Sequence, residues 1–103
     1  MAYENGELDA TLAAAAGDDP ALMSELRVAL VEGAHKQLDL LKRSRCDGNW
    51  TVAAMRLKGL AASFHAEGLL LAAQSALDAA PGEPASIREI ERVLSSYSNT
   101  RAA

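Results

Sequence analysis

Few side chains in this 103-residue chain could carry out chemistry, and they do not converge on one predicted site. The two histidines, His35 and His65, could bind a metal ion or accept a phosphoryl group. Together with the one cysteine, Cys46, they show no spacing typical of metal ligands. The sequence contains no glycine-rich phosphate loop and no G-x-S-x-G turn. It therefore predicts no metal, no cofactor and no conventional enzyme.

Composition predicts the elements that must hold these residues in place. Half of the residues are hydrophobic, only 4% are aromatic, and alanine and leucine dominate the apolar set. Alanine and leucine lose little rotamer freedom in a helix, whereas strands favour β-branched and aromatic side chains. A chain of this length is typical of one domain. We therefore expect a single all-α domain over residues 1–103.

Charge and hydropathy exclude several classes of partner. The formal net charge is -4 and no run of lysine and arginine exceeds two residues, so we expect no nucleic-acid binding. No stretch approaches the roughly 18 apolar residues of a membrane span. The acidic, polar start of the chain is unlike a secretory signal, and one cysteine cannot form an intrachain disulfide. The expectation is a cytoplasmic protein without a membrane or nucleic-acid partner.

Turn residues and apolar spacing divide the chain into helices. We predict a short helix over residues 6–16 and four longer helices over 19–45, 49–64, 67–80 and 84–97. Asp19 and Asn49 are the predicted N-caps of the second and third helices, and Pro20 suits a first helical position. Each longer helix carries one apolar stripe at three- and four-residue spacing, and the connections are short. This pattern predicts an antiparallel up-down four-helix bundle with a short extra N-terminal helix.

The third predicted helix has a second apolar side. Its stripe from Trp50 to Phe64 defines the direction of the core, and Met55 points about 160° away from that direction at about 100° per residue. The residues on this outer side are small or apolar: Val52, Met55, Gly59 and Ala62. Either the N-terminal segment covers them, or they form an exposed patch for a partner. Gly59 favours the patch, because a mid-helix glycine costs about 1 kcal/mol relative to alanine and close approach of a partner would explain it.

The segment Met55-Arg56-Leu57-Lys58-Gly59, with the small residues after it, resembles the signature of histidine-containing phosphotransfer (HPt) domains. These four-helix proteins of two-component signalling carry histidine, any residue, leucine, lysine and glycine on the third helix, with small residues and a glycine at its end. Leu57, Lys58 and Gly59 match directly. The flanks also look like the family: Gly17-Asp18-Asp19-Pro20-Ala21-Leu22 resembles its opening of the second helix, and Asp47 and Trp50 match an acidic–tryptophan pair before the acceptor helix. The resemblance covers most of the chain and implies the HPt fold.

Two positions depart from the family's motif. Met55 occupies the position of the phosphorylated histidine, and a thioether has no proton to lose and forms no stable phosphoryl linkage. His65 occupies the position of the glycine that ends the helix, where the backbone is often left-handed. The resemblance therefore implies a degenerate HPt domain in which the ordinary relay reaction is absent.

The resemblance further implies that docking is retained although the reaction is lost. In the family the lysine supplies positive charge beside the phosphohistidine, and the glycine leaves room for the receiver. We expect the chain to bind a response-regulator receiver domain or a histidine kinase, and to modulate phosphotransfer without carrying phosphate. The expected contact residues are Val52, Met55, Lys58, Gly59 and Ala62. In related domains apolar residues of the N-terminal helix border this surface, so Leu8 and Leu12 are further candidates, unless they only cap the bundle.

Two alternatives stay open. His65 could be a relocated phosphoryl acceptor, although it lies about 15 Å from position 55 along a straight helix axis and about 80° around it. The outer side of the third helix could instead be the seam of a homodimer, in an assembly module without a signalling role. His35 lies off the apolar stripe of the second helix, and we expect it to be a solvated surface residue.

Overall fold

The computed structural model describes residues 6–99, and these residues form helices and turns without any strand. The five helices are α1 Gly6–Ala16, α2 Pro20–Lys42, α3 Asp47–Phe64, α4 Glu67–Asp78 and α5 Pro84–Asn99. The prediction of an all-α chain is confirmed for this range. The bounds differ in detail: α2 and α4 end three and two residues early, α3 begins two residues early, and α5 runs two residues further.

Helix α2 begins where its capping residues predict. Asp19 has an extended backbone, and its carboxylate accepts hydrogen bonds from the N–H groups of Ala21 at 3.0 Å and Leu22 at 3.4 Å. Pro20 takes the first helical position, where its missing N–H is no loss. At the other end, the Ser44 hydroxyl donates to the Leu40 carbonyl at 2.9 Å. This bond satisfies the Leu40 carbonyl in the last turn of α2, where the helix ends three residues earlier than predicted.

The prediction that Asn49 caps α3 is wrong. Cys46 takes the N-cap position without a side-chain capping bond, and the helix begins at Asp47. A carboxylate in the first turn interacts favourably with the positive end of the helix dipole, which favours a start at Asp47. Cys46 itself is exposed in the connection between α2 and α3.

All five helices contribute to one core. Helix α2 packs against α3 and α5, α3 packs against α4, and α4 packs against α5, so these four surround common apolar side chains. Helix α1 packs on α2 and contacts α3. Its Asp9 forms an ion pair with Arg27 of α2, and Lys42 of α2 pairs with Glu91 of α5 at 2.7 Å. The largest fully buried side chains include Trp50, Tyr97, Leu30, Leu41, Leu57 and Ile90.

Helix α4 lacks a side-chain cap of its own and is completed by its neighbours. Its N-cap residue Ala66 makes no side-chain capping bond, and the Tyr97 hydroxyl on α5 accepts from the Leu69 N–H at 3.1 Å. Near the other end, the Trp50 indole N–H on α3 donates to the Ala76 carbonyl at 2.8 Å. Burial raises the pKa of the Tyr97 phenol above its ordinary value. The two bonds fix α4 against α3 and α5 in surroundings that exclude water.

No helix in residues 6–99 is long and apolar enough to cross a membrane. Over the same range, no three His, Cys, Asp or Glu side chains come together in a group that could hold a metal ion.

Candidate functional site

The side of α3 that points away from the core is exposed and has no charge at its centre. Met55 is 59% exposed and Val52 is 48% exposed, and Gly59 and Ala62 on the following turns are exposed as well. We call these four residues the outer face of α3. No described residue covers Met55, and residues 1–5 lie outside the described range. The prediction that Met55 points away from the core is confirmed.

Gly59 has open space above it. A Cβ built there would meet no atom within 4 Å beyond its own helix backbone, whereas a Cβ at Gly33 would lie 3.4 Å from the Leu60 side chain. Packing among residues 6–99 therefore gives no reason for glycine at position 59. Close approach of another molecule to the backbone of α3 would give one.

Lys58 borders the outer face on the side of α4. Its Nζ donates to the Gln74 Oε1 at 2.6 Å, and the Gln74 Nε2 donates to the Asp78 Oδ1 at 3.1 Å. The side chain is half-buried. The ammonium group is thus held against α4, and a partner would meet it at the edge of the outer face rather than over Met55.

A groove of about 460 Å³ borders the outer face on the side of α2. Its walls combine apolar and cationic side chains: Leu40, Arg43, Ser44, Asn49, Val52, Ala53 and Arg56. Leu40 is 39% exposed, and Arg43 forms an ion pair with Asp39 at 2.9 Å. Arg56 is exposed and forms no ion pair with any described residue. The groove therefore offers an apolar wall beside an uncompensated guanidinium, which can bind carboxylate or phosphoryl oxygens.

Leu40 and Arg43 are candidates that the sequence prediction misses. Leu40 lies off the buried side of α2, just as Met55 lies off the buried side of α3, so the same signal could have found it. Arg43 carries no comparable signal. A cation at the end of a helix is explained by the helix dipole alone.

Basic residues concentrate in the segment of the chain that forms this groove; Arg43 and Arg56 line the groove, whereas Lys42 pairs with Glu91 of α5 and Lys58 bonds to Gln74 of α4. Residues 36–58 contain six of the ten lysines and arginines and two of the fourteen acidic residues, a formal charge of +4. The whole chain carries -4, so the remainder carries -8. The end of α2 and the start of α3 are thus positive on a negative molecule, a distribution that favours an acidic partner at this position.

The prediction that Leu8 and Leu12 border the outer face is wrong. Both side chains are 1% exposed and belong to the core. The reason is that α1 turns its apolar side onto α2 and the neighbouring part of α3, so the two leucines are covered. They close the core, as the alternative interpretation expects.

His65 ends α3 in the left-handed conformation typical of glycine, with φ 55° and ψ 40°. Its N–H bonds to the Ala62 carbonyl at 3.2 Å, and the Ala66 N–H bonds to the Ala61 carbonyl at 2.8 Å, which is the Schellman pattern. The exposed ring makes a hydrogen bond of 2.7 Å between its Nδ1 and the Thr11 Oγ1 of α1. His65 therefore links α1 to the end of α3 and is not part of the outer face. His35 is exposed on α2.

Comparison of the chain with protein-family models, with curated proteins and with solved structures gave no match. The expected resemblance to HPt domains therefore rests on the sequence motifs alone.

Proposed function

We propose that this chain is a degenerate HPt domain that binds a receiver domain or a histidine kinase and modulates phosphotransfer without carrying phosphate. The observation that carries the proposal is the exposure of Met55 at the centre of the outer face of α3, where the HPt motif has its histidine. A thioether at that position can make contact but accepts no phosphoryl group. The chain is then a pseudo-phosphotransferase.

The packing of the helices supports the fold that this proposal needs. Contacts run from α2 to α3, α4 and α5 and back to α2, and α1 lies outside that ring. The connections 43–46, 65–66 and 79–83 are short, which favours antiparallel neighbours. We therefore include in the proposal an antiparallel up-down four-helix bundle of the HPt type, with α1 as the extra helix.

Charge supports an acidic partner over a second copy of the chain. A symmetric homodimer through the outer face would bring two positive surfaces together, which is unfavourable. Receiver domains of the kind that HPt domains serve carry a cluster of acidic residues around their phosphoacceptor aspartate. Arg56 and Lys58, on the two sides of the outer face, would complement such a cluster, and Met55 would supply an adaptable apolar contact between them.

The surroundings of His65 favour docking over transfer. Its ring is hydrogen-bonded to Thr11 at the end of α3, beside α1. A receiver centred on Met55 would present its aspartate about ten residues away from His65 along the helix, about 15 Å at 1.5 Å per residue. In the proposed mechanism the chain occupies the receiver surface and competes there with the true phosphodonor.

Binding and label transfer test the proposal together. The purified protein is titrated with receiver domains from the same genome, with and without their acyl phosphate, and the protein is examined for transferred label. We expect binding without label. Acid-labile label that disappears in His65→Ala would overturn the proposal in favour of a relay, and a stable dimer in sedimentation that hides Met55 would favour an assembly module.

Restoring the histidine gives a second test. We expect Met55→His to accept phosphoryl groups from a phosphorylated receiver, because the docking geometry would bring the new imidazole to the aspartate. Leu71→His is the matched control, since Leu71 is also 59% exposed but lies on α4. Equal label on both variants, or on neither, would contradict docking through the outer face.

A further inference from the structure

Met55 and Met23 are the two methionines in the described range, and their surroundings differ. Met23 of α2 is partly buried and packs against the core, whereas Met55 is 59% exposed. Thioether oxidation follows accessibility to the oxidant. We propose that Met55 is a site of reversible oxidation, and that its sulfoxide switches off docking at the outer face; this regulatory role rests on the function proposed above.

The reaction needs a peroxide, either hydrogen peroxide or an organic hydroperoxide. The sulfur lone pair attacks the hydroxyl oxygen of the peroxide, the O–O bond breaks, an S–O bond forms, and the proton on the transferred oxygen passes to the departing oxygen. Sulfur loses two electrons, and the peroxide is reduced to water or to the alcohol. Reversal by a methionine sulfoxide reductase returns the thioether, with a dithiol oxidised to a disulfide and the oxygen released as water.

Oxidation of Met55 should affect docking because this side chain lies at the centre of the outer face. The sulfoxide is a polar acceptor at the position where the thioether is an apolar contact. Its neighbours on the outer face, Val52, Gly59 and Ala62, offer no side-chain donor. The exposed Thr51 hydroxyl, one turn before Met55, can donate at most one hydrogen bond, and a partner closing over this face would still remove water from the S–O dipole, which is unfavourable. The fold does not depend on Met55, because its side chain points away from the core.

The first experiment measures the site of oxidation without any partner. The Cys46→Ser protein, which lacks the exposed thiol, is treated with hydrogen peroxide, and peptide mapping follows each methionine over time. We expect Met55 to oxidise several-fold faster than Met23, with unchanged helical circular dichroism and an unchanged urea midpoint. An equal or slower rate at Met55, or loss of structure with its oxidation, would overturn the proposal.

The second experiment measures the consequence with a receiver domain that binds the unoxidised protein. We expect oxidation to weaken binding by about tenfold or more and reductase treatment to restore it. Whatever its starting affinity, Met55→Leu should show no change in binding on peroxide treatment, since leucine cannot be oxidised. Undiminished binding after oxidation overturns the switch alone. Failure of every receiver to bind the unoxidised protein overturns the proposed function, and the switch with it.

Discussion

Gly59 combines low helix propensity with an open position on the outer face. We expect Gly59→Ala to raise the free energy of unfolding by about 1 kcal/mol, because alanine is the better helix former and its Cβ meets nothing within 4 Å. The same methyl group should weaken receiver binding, because it stands where the partner approaches the backbone. Urea denaturation and a binding titration measure the two effects.

Ser95→Ala is the control for this substitution. Ser95 is exposed on α5, away from the outer face. Its replacement should raise stability by about 0.5 kcal/mol through helix propensity and leave receiver binding unchanged. If Gly59→Ala stabilised the fold and bound the receiver with unchanged affinity, Gly59 would not belong to the interface.

His65 is a bulky residue held in the left-handed region. We expect His65→Gly to be more stable than His65→Ala by about 1 kcal/mol, because glycine adopts this conformation without the Cβ clash. Both variants lose the hydrogen bond to Thr11, so their difference reports the backbone alone. The midpoints of urea denaturation measure it. Equal stability of the two variants would show that the end of α3 has changed its conformation.

Tyr97 makes the packing of α4 against α5 sensitive to alkaline pH. The buried phenol has a raised pKa in the folded protein, whereas the unfolded phenol ionises near its ordinary value of about 10. Its contribution to stability is therefore complete below about pH 10 and is lost as pH rises through the folded pKa. We expect the free energy of unfolding to fall in this alkaline range, as urea denaturation at a series of pH values would measure.

Tyr97→Phe separates this effect from other titrations. The variant leaves the Leu69 N–H without its acceptor and should lose about 1–3 kcal/mol at neutral pH. Its stability should then decline less steeply above pH 10 than that of the unmodified protein. A decline of equal steepness in both proteins would assign the alkaline loss to other groups.

The helices could be predicted from sequence where the signals are local. The Asp19 cap and the outward direction of Met55 both follow from residues within a few turns of one helix. The cap of α3 could not be chosen this way, because Asp47 and Asn49 lie two residues apart and both suit a helix start. Local signals thus predict that a helix exists more reliably than where it begins.

The specific contacts between helices could not be predicted from the sequence. The bonds from Trp50 to Ala76 and from Leu69 to Tyr97 join residues 26 and 28 positions apart, and neither residue pair forms a recognisable motif. Leu8 and Leu12 show the same limit, since an apolar stripe predicts burial but does not say against which helix. The groove beside Leu40 likewise exists only once α2 and α3 are packed together.

Charge is unevenly distributed along the chain, with +4 over residues 36–58 and -8 over the rest. We expect Arg56→Glu to weaken receiver binding by about tenfold or more, because it replaces attraction by repulsion at the groove. Binding of the unmodified protein should weaken as salt rises from about 0.05 to 0.5 M, and that of the variant should depend on salt less. Titrations at the two salt concentrations measure both effects.

Arg88→Glu is the matched control. Arg88 is exposed on α5, so the change gives the same net charge of -6 without altering the groove. Its receiver affinity should stay close to that of the unmodified protein. A loss equal to that of Arg56→Glu would mean that net charge, and not the groove, governs association.

Trp50, the one tryptophan of the chain, lies on the core side of the same helix that presents Met55 outward. Its indole is shielded from water and tied to the Ala76 carbonyl, so its fluorescence reports the interior and shifts when the fold opens. A molecule bound to the outer face of α3 should leave that emission unchanged. Trp50 fluorescence therefore reports the packing of the core and does not respond to binding at the surface. Quenching of this fluorescence on addition of a partner would mean that the core has rearranged.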